Sequence, residues 1–213
     1  MPVIAIDGPV ASGKGTLARR LAAAMNFAYL DTGSLYRAVA SLILERGSDP
    51  NDSVVAAKVA DGFTAGDINR HDLRDEKVGQ AASIVAANQE VRKSLLEFQR
   101  NFAKTPPNNH LGAVLDGRDI GTVVCPDAEI KLFISATPEV RAKRRHKELL
   151  ERGDESIYAR VLEDLRERDE RDRNRDTAPL RAAEDAVTLD TSDMDANKAF
   201  EAAKSLVNER LSL

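Results

Sequence analysis

The residues with the clearest chemical potential lie between positions 8 and 16. Gly8, Gly13 and Lys14 satisfy the spacing G-x4-G-K, and a hydroxyl follows at Thr16. Glycines let a loop fold so that its N–H groups point into one concavity, and a helix start adds positive potential. There the lysine can reach terminal phosphates, and the threonine can bind Mg²⁺. A turn that binds nothing is the alternative, but we predict a phosphate loop made of Gly8, Pro9, Val10, Ala11, Ser12, Gly13, Lys14, Gly15 and Thr16.

The flanking sequence has the elements that such a loop needs. Residues 3–7 form a short apolar run typical of a buried parallel strand, and residues 14–25 place Leu17, Leu21 and Met25 on one helical face. Further short strands are predicted at 27–30, 113–116, 129–135 and 186–189. Strands alternating with helices predict an α/β fold with a five-stranded parallel sheet covered on both faces.

Helices are predicted between these strands and after the last one. Thr137 and Pro138 are a strong helix start, and that helix should end at Gly153. A helical stretch at 76–104 is predicted to break near Asn88, whereas residues 48–75 read as polar and irregular. The remaining predicted helices cover the residues after Thr32 as far as Gly47, residues 156–175 and the C-terminal stretch.

Several arginines stand where anionic ligands bind in α/β sheets. Arg37 and Arg118 each follow a predicted strand, on the side where open sheets bind ligands. A guanidinium group binds phosphate through two parallel hydrogen bonds. The alternative for each is an exposed surface ion pair. An acceptor that is itself a phosphate monoester needs no basic side chain to activate it, so His71, His110 and His146 are treated as ordinary polar residues.

Residues 163–176 form the most highly charged segment, with five arginines and seven acids. This near balance argues against a nucleic-acid-binding arm. Arg168, Asp172 and Arg175 are spaced i, i+4 and i+7, on one stripe of a helix. The stripe suits a ribose phosphate, the acid taking hydroxyls and the arginines taking charge. The alternative is a solvated helix with internal ion pairs.

Composition limits the class of protein. The net charge of −4 does not predict binding to nucleic acid or a membrane, so any anion site must be a local cluster. A single cysteine, Cys125, excludes an intrachain disulfide and a cysteine-based metal site. No apolar run reaches the ~20 residues that span a bilayer. We expect a cytoplasmic monomer.

Four motifs together resemble the bacterial cytidylate kinase family of nucleoside monophosphate kinases. They are the loop ending Gly13-Lys14-Gly15-Thr16, the segment from Asp31 to Arg37, the segment from Asp116 to Thr122, and the arginine-rich run from Glu167 to Arg175. The resemblance implies one P-loop NTPase core spanning 1–213, built from residues 1–47, 105–145 and 161–213. It further implies a monophosphate-binding insertion at 48–104 and a short lid at 146–160.

The activity that this resemblance implies is ATP-dependent phosphorylation of CMP and dCMP, with ADP released and Mg²⁺ as cofactor. Lys14 and Arg118 are the implied catalytic residues. Thr16 is the implied metal ligand, with Asp31 and Asp116 as candidate acids. The implied CMP-binding residues are Thr32, Arg37, Ser83, Arg92, Arg118, Asp119, Arg168, Asp172 and Arg175. Of these, Ser83, Arg92 and Asp119 are implied to face the cytosine, Arg168 and Asp172 the sugar, and Arg37, Arg118 and Arg175 phosphate.

One segment departs from the family pattern. A small β-hairpin is usual there before the helices that carry the serine and arginine, but residues 61–74 leave little room for paired strands. Arg100 is a further candidate ligand of the insertion, and Arg141, Arg144 and Arg145 share a helix face leading into the lid. Two rival functions are another small-molecule kinase, such as a shikimate kinase, and a nucleotide-binding switch.

Overall fold

The protein folds around one parallel sheet in a computed structural model that describes residues 1–211. The five strands are β1 (Val3–Asp7), β2 (Ala28–Asp31), β3 (Ala113–Gly117), β4 (Ile130–Ser135) and β5 (Val187–Asp190). Their order across the sheet is β2-β3-β1-β4-β5, and every neighbouring pair is parallel. This confirms the predicted α/β class and brings the carboxyl ends of β1, β2 and β3 to one edge.

Helices connect the strands and cover the sheet. They are α1 (Lys14–Met25), α2 (Thr32–Glu45), α3 (Ser53–Asp61), α4 (Glu76–Val85), α5 (Gln89–Lys104), α6 (Pro138–Glu151), α7 (Tyr158–Asn174) and α8 (Ala196–Leu211). One buried apolar cluster joins the sheet to α2, α3, α4 and α5, and another joins the opposite face to α1 and α8. The core therefore lies on both faces of the sheet, as near-continuous apolar strands require.

Local capping sets several of the predicted helix ends. The Thr137 hydroxyl accepts a hydrogen bond from the backbone N–H of Val140, with Pro138 in the first turn. The predicted break near Asn88 is confirmed, because the Asn88 side chain accepts from the N–H groups of Glu90 and Val91 and so starts α5.

The prediction of irregular structure throughout residues 48–75 was wrong. This stretch contains α3, whose N-terminus is capped by Asp52 accepting from the N–H groups of Val54 and Val55. The helix is only nine residues long, between Pro50 and Gly62, so its periodicity was too short to recognise. It forms because Ala56 and Val59 are buried in the cluster shared with α5.

Residues 61–74 contain no strand within the described chain. A 3₁₀ turn, Ala65–Asn69, replaces the hairpin, as the short spacing predicted. The Asp67 carboxylate accepts from the backbone N–H of Thr64, which closes the turn. Arg70 fastens the segment to α2 by donating to the Ser41 hydroxyl (2.7 Å) and pairing with Glu45 (3.0 Å).

None of the helices described between residues 1 and 211 is long and apolar enough to cross a lipid bilayer.

A substitution at Asp52 tests whether side-chain capping sustains α3. Asp52→Ala removes the acceptor for two N–H groups, so we expect a loss of about 1 kcal/mol in the free energy of unfolding, measured by urea denaturation. Asp52→Asn, which keeps an acceptor oxygen, is the control and should unfold close to the wild type. Equal stability of Asp52→Ala and wild type would contradict the assignment.

Candidate functional site

The loop after β1 has the backbone conformation of a phosphate loop. Gly8 approaches β4 so closely that a Cβ there would lie 2.1 Å from the Ile134 carbonyl oxygen, so no other residue fits. Gly13 has a φ of +90° just before α1, and Ala11 also takes a left-handed conformation, with a φ of +58°. These conformations fold the chain back over the start of α1.

The folded loop leaves backbone donors available at the start of α1. Leu17 donates its N–H to the Gly13 carbonyl at 3.1 Å, the first backbone bond of the helix. Within residues 1–211, the N–H groups of Lys14, Gly15 and Thr16 have no protein acceptor. Unpaired N–H groups at a helix start, beside a lysine, form a site for an anion.

Two arginines of α6 and a threonine after β5 hold this loop from behind. Arg141 donates to the Val10 carbonyl (3.2 Å), and Arg144 donates to the Ser12 carbonyl (3.3 Å). Thr191 also donates its hydroxyl to the Ser12 carbonyl (3.2 Å). These bonds fix the carbonyls of Val10 and Ser12 against α6 and the segment after β5, while the N–H groups at the start of α1 remain without a protein acceptor within residues 1–211.

Three arginines that share a face of α6, Arg141, Arg144 and Arg145, make different contacts. The Arg141 side chain is only 1% exposed and forms a two-bond pair with the Asp169 carboxylate of α7, so it joins helices. Arg145 instead bridges to Glu76 at the start of α4 (2.6 Å). Of the three, Arg144 and Arg145 line the cavity beside the phosphate loop.

Two cavities meet at Lys14. One has a volume of about 280 Å³ and lies towards α4 and α7, and the other, of about 490 Å³, lies towards α6 and α8. Lys14 and Gly15 line both. The cavity of about 280 Å³ is here called the acceptor cleft. It is lined by Lys14 and by the nine residues that the resemblance implies for CMP: Thr32, Arg37, Ser83, Arg92, Arg118, Asp119, Arg168, Asp172 and Arg175. Thr16 lines the larger one, here called the donor cavity.

Arg118 and Asp172 form the centre of the acceptor cleft. The Arg118 Nε donates to Asp172 Oδ2 at 2.9 Å, which links the loop after β3 to α7. The nearby Arg168 has a buried Nε without a hydrogen-bond partner. Burial and the proximity of Arg118 lower the pKa of Arg168 to about 10. An anion placed between these two guanidinium groups would relieve their repulsion.

Asp119 lies between two further arginines, Arg92 and Arg175. Its Oδ2 pairs with Arg92, and its Oδ1 lies 3.7 Å from Arg175 Nη2, an atom that has no hydrogen-bond partner. Asp119 therefore pairs with Arg92 and Arg175 and makes no ion pair with Arg118. Arg92 makes no ion pair with another residue of α5. Arg175 follows the last residue of α7 in extended conformation, so the predicted helical stripe ends one residue early.

The remaining predicted ligands line the cleft while holding protein groups. Arg37 donates to the Leu73 carbonyl (2.8 Å), and Thr32 donates its hydroxyl to the Asp116 carbonyl (2.8 Å). Ser83 lies 3.5 Å from Asp172, the limit of a hydrogen bond. All three line the cleft, Thr32 and Arg37 from α2 and Ser83 from α4.

A lysine and two carboxylates form the floor where the cavities join. Asp31 and Asp116 are paired residues at the ends of β2 and β3. Burial and the neighbouring Arg118 lower the pKa of Lys14 to about 8. Burial and the charge of Asp31 raise the pKa of Asp116 to about 6. The floor thus places a lysine whose charged form is disfavoured by burial beside two carboxylates that repel each other.

Sequence comparison identifies the family. The family model described as cytidylate kinase matches residues 4–209. The chain belongs to the cytidylate kinase family. It is therefore a kinase, and the resemblance seen in its motifs is confirmed.

Curated cytidylate kinases are similar along nearly the whole chain. The protein from Paramagnetospirillum magneticum is 56% identical over 98% of both chains. The one from Acidiphilium cryptum is 56% identical over 98% of this chain and 96% of its own. The cytidylate kinase of Rhodopseudomonas palustris is 53% identical over 96% and 95% of the two chains.

Solved structures share the fold at low sequence identity. An uncharacterised protein from Eubacterium ventriosum superposes with a TM-score of 0.57 at 16% identity, covering 98% of this chain and 99% of its own. A sugar kinase from Janibacter superposes with a TM-score of 0.51 at 14% identity, covering 98% and 95%. These similarities support the fold alone.

The donor set for a metal ion in this cytidylate kinase family member is sparse. Among residues 1–211, no group of three His, Cys, Asp or Glu side chains could hold one. Thr16 is exposed in the donor cavity, and Asp116 Oδ2 lies 3.3 Å from where a Cβ of Gly15 would be. A hydroxyl with one adjacent carboxylate suits Mg²⁺, which keeps several waters and takes its other ligands from phosphates.

The candidate ligand Arg100 is not among the residues that line the acceptor cleft. Its guanidinium donates to the carbonyls of Val123 and Val124. Tyr29 was missed, although its hydroxyl donates to Asp116 Oδ1 at 3.1 Å. The sequence did offer a signal for this contact: a tyrosine in a short buried strand needs a hydrogen-bond partner for its hydroxyl.

A tyrosine substitution tests the electrostatics of the floor. Tyr29→Phe removes a hydrogen bond to the ionised form of Asp116, so we expect the pKa of Asp116 to rise from about 6 by roughly half to one unit. The carboxyl ¹³C shift of Asp116, followed by NMR titration, measures it. Tyr158→Phe, in the exposed start of α7, is the control, and a fall in the Asp116 pKa would contradict the proposed contact.

Proposed function

We propose that the protein transfers the γ-phosphoryl group of ATP to CMP, and to dCMP, releasing ADP. One observation carries this proposal: two cavities meet end to end at Lys14, and one of them is lined by the arginines that the family motif predicts. A nucleotide-binding switch needs a single cavity, whereas a kinase for phosphate acceptors must bring two polyanions together. The donor cavity would hold ATP, and the acceptor cleft would hold the monophosphate.

Charge favours a phosphate monoester in the acceptor cleft. Among the described residues that line it, seven are cationic and five are acidic, which leaves an excess of two positive charges. The seven cations are Lys14, Arg19, Arg37, Arg92, Arg118, Arg168 and Arg175. A nucleoside monophosphate carries close to two negative charges at neutral pH. Shikimate, the rival acceptor, carries one carboxylate, so its single negative charge would balance less of the excess positive charge in the cleft.

The residues divide between phosphate, sugar and base according to position. We assign Arg37 and Arg118 the acceptor phosphate, as the resemblance implies; both line the cleft, and Arg118 is close enough to Lys14 to lower the pKa of that lysine. Asp172 and Arg168 are assigned the ribose hydroxyls. Arg92 and Asp119, with Ser83, are assigned the cytosine-bearing end of the nucleotide, and Arg175 keeps the phosphate role that the resemblance implies.

The transfer needs positioning and charge neutralisation and no general base. An oxygen of the CMP phosphate attacks the γ-phosphorus, the bond from that phosphorus to the bridging oxygen breaks, and ADP leaves with its electron pair. Lys14 would bind the transferring group together with the N–H groups of residues 14–16. Mg²⁺, bound through Thr16 and phosphate oxygens, would supply further charge neutralisation. The Lys14 pKa of about 8 would rise in contact with these anions.

The domain arrangement is proposed on the same basis. The core is taken as residues 1–47, 105–145 and 161–213, with an acceptor-binding insertion at 48–104 and a lid at 146–160. The insertion contributes Ser83 and Arg92 to the cleft. The Arg145–Glu76 bridge joins the helix that enters the lid to the insertion, which would couple their movements. The proposal includes a monomeric, cytoplasmic enzyme.

An acceptor panel tests the reaction directly. With ATP and Mg²⁺, a coupled assay of ADP release should show turnover of CMP and dCMP well above that of UMP, AMP or shikimate. Failure of CMP with turnover of another acceptor would overturn the substrate assignment. Tight nucleotide binding without acceptor-dependent ADP release would favour a switch.

Arg118 should discriminate the two substrates. Arg118→Ala removes a guanidinium from the acceptor phosphate, so we expect kcat/KM for CMP to fall by about 100-fold, which corresponds to about 2.7 kcal/mol. The affinity for ATP, measured by calorimetry, should change little. Arg166→Ala, at an exposed ion pair on α7, is the matched control. Equal loss for both nucleotides would place Arg118 elsewhere.

Asp119 should set the preference for cytosine. A carboxylate accepts a hydrogen bond from the cytosine amino group and repels the uracil oxygen that replaces it, whereas an amide can donate to that oxygen. We expect Asp119→Asn to lower the ratio of kcat/KM for CMP over UMP by about 10-fold. Asp193→Asn, at an exposed position, is the control. An unchanged ratio would remove Asp119 from base recognition.

A further inference from the structure

Asp7 is a buried carboxylate that the proposed transfer does not use. It ends β1, directly before the phosphate loop, and is 5% exposed. Its Oδ1 accepts the backbone N–H of Ile120 at 2.8 Å, and its Oδ2 accepts that of Gly121 at 2.8 Å. It makes no ion pair within the described chain.

The segment that Asp7 holds follows directly after Arg118 and Asp119. From Ile120 the backbone forms a short, wide π-type turn, Ile120–Val124, in which Val123 donates back to the Asp119 carbonyl (2.9 Å). The first N–H groups of such a turn have no partner inside it, and the Asp7 carboxylate supplies one for each. Both donors are buried, so losing an acceptor would leave an N–H unpaired away from water.

Close packing makes this contact specific. A Cβ on Gly121 would lie 3.1 Å from the Lys131 side chain and 3.5 Å from Asp7 Oδ2, so the turn fits tightly between β1 and β4. Within residues 1–211, no other side chain accepts these two N–H groups. The direction in which Arg118 and Asp119 leave β3 therefore depends on Asp7 from the adjacent strand.

We propose that the ionised carboxylate of Asp7 is a positioning residue for the acceptor nucleotide, fixing the turn that aims Arg118 and Asp119 into the cleft. The inference rests on the proposed function for its substrate, but the contact itself does not. Protonation would convert one of the two acceptor oxygens into an O–H donor that faces an N–H group. The turn would then lose one of its two hydrogen bonds, and the aim of both side chains would loosen.

Burial of Asp7 places this change near neutral pH. Burial raises the pKa of Asp7 to about 7, the two N–H bonds oppose that rise, Asp119 adds to it, and Lys14 lessens it. Of the other groups that face this region, Lys131 is paired with Asp185, and burial raises the pKa of the Cys125 thiol to about 11. Because the folded-state pKa of Asp7 is raised, the hold on the turn is present above pH 7 and is lost as the pH falls through 7.

The variant Asp7→Asn imitates the protonated state, since an amide keeps one acceptor oxygen. At pH 8 we expect kcat/KM for CMP to be about 10-fold lower in Asp7→Asn than in wild type, chiefly through KM for CMP, with ATP affinity nearly unchanged. At pH 6 the two proteins should differ by less than about threefold. Taking their ratio cancels the ionisation of CMP itself, whose second phosphate pKa lies near 6. A ratio that stays constant from pH 6 to pH 8 would overturn the proposal.

Hydrogen exchange tests the contact in the wild type without any substrate or variant. After correction for intrinsic rates, the protection of the Ile120 and Gly121 amides should fall by at least about fivefold more than that of the Leu115 amide in β3 between pH 8 and pH 6. Equal changes at all three amides would overturn the proposal even if Asp7→Asn fails to fold. A wild type that does not phosphorylate CMP would instead overturn the proposed function and leave the exchange result standing.

Discussion

The arrangement of this protein depends on keeping several guanidinium groups close together before any anion binds them. Arg118, Arg168 and Arg175 converge from a loop and one helix, and like charges at that range repel. Buried carboxylates stand between them: Asp172 with Arg118, and Asp119 with Arg92 and Arg175. The acids hold the cations in place without fully satisfying them, since Arg168 Nε and Arg175 Nη2 have no hydrogen-bond partner among the described residues. Under the proposed function, an acceptor phosphate would meet these groups already in position.

The phosphate loop is likewise held by some of its polar groups while others have no protein partner in the described chain. Its outward carbonyls at Val10 and Ser12 are bonded by Arg141, Arg144 and Thr191, and its first N–H groups are left without acceptors. Arg141 is in turn locked to Asp169 of α7, the helix that also carries Arg168 and Asp172. The loop and the acceptor cleft are therefore connected through α6 and α7, so a movement of these helices would reach both cavities at once.

Two elements show how far the sequence could be interpreted. The phosphate loop, the five-stranded parallel sheet and most helix ends followed from glycine spacing, apolar runs and capping residues, which are local signals. The helix α3 was missed, because nine residues between a proline and a glycine carry too little periodicity, and burial against α5 stabilises it. The contacts of Arg100 were equally hidden, because a lone arginine on a helix gives no sign that it will donate to the backbone carbonyls of a distant turn.

The sequence by itself determined the phosphate loop, the arginines that follow successive strands and, through its motifs, the family, because each of these is a local pattern of residue types and spacing. Only the tertiary structure decided the pairing of those groups. Arg118 meets Asp172 across 54 residues, Asp119 turns to Arg92 and Arg175, and Asp7 holds a turn 113 residues away. Such partners are chosen by the strand order of the sheet, which places loops distant in sequence at one edge, and spacing along the chain does not encode that proximity.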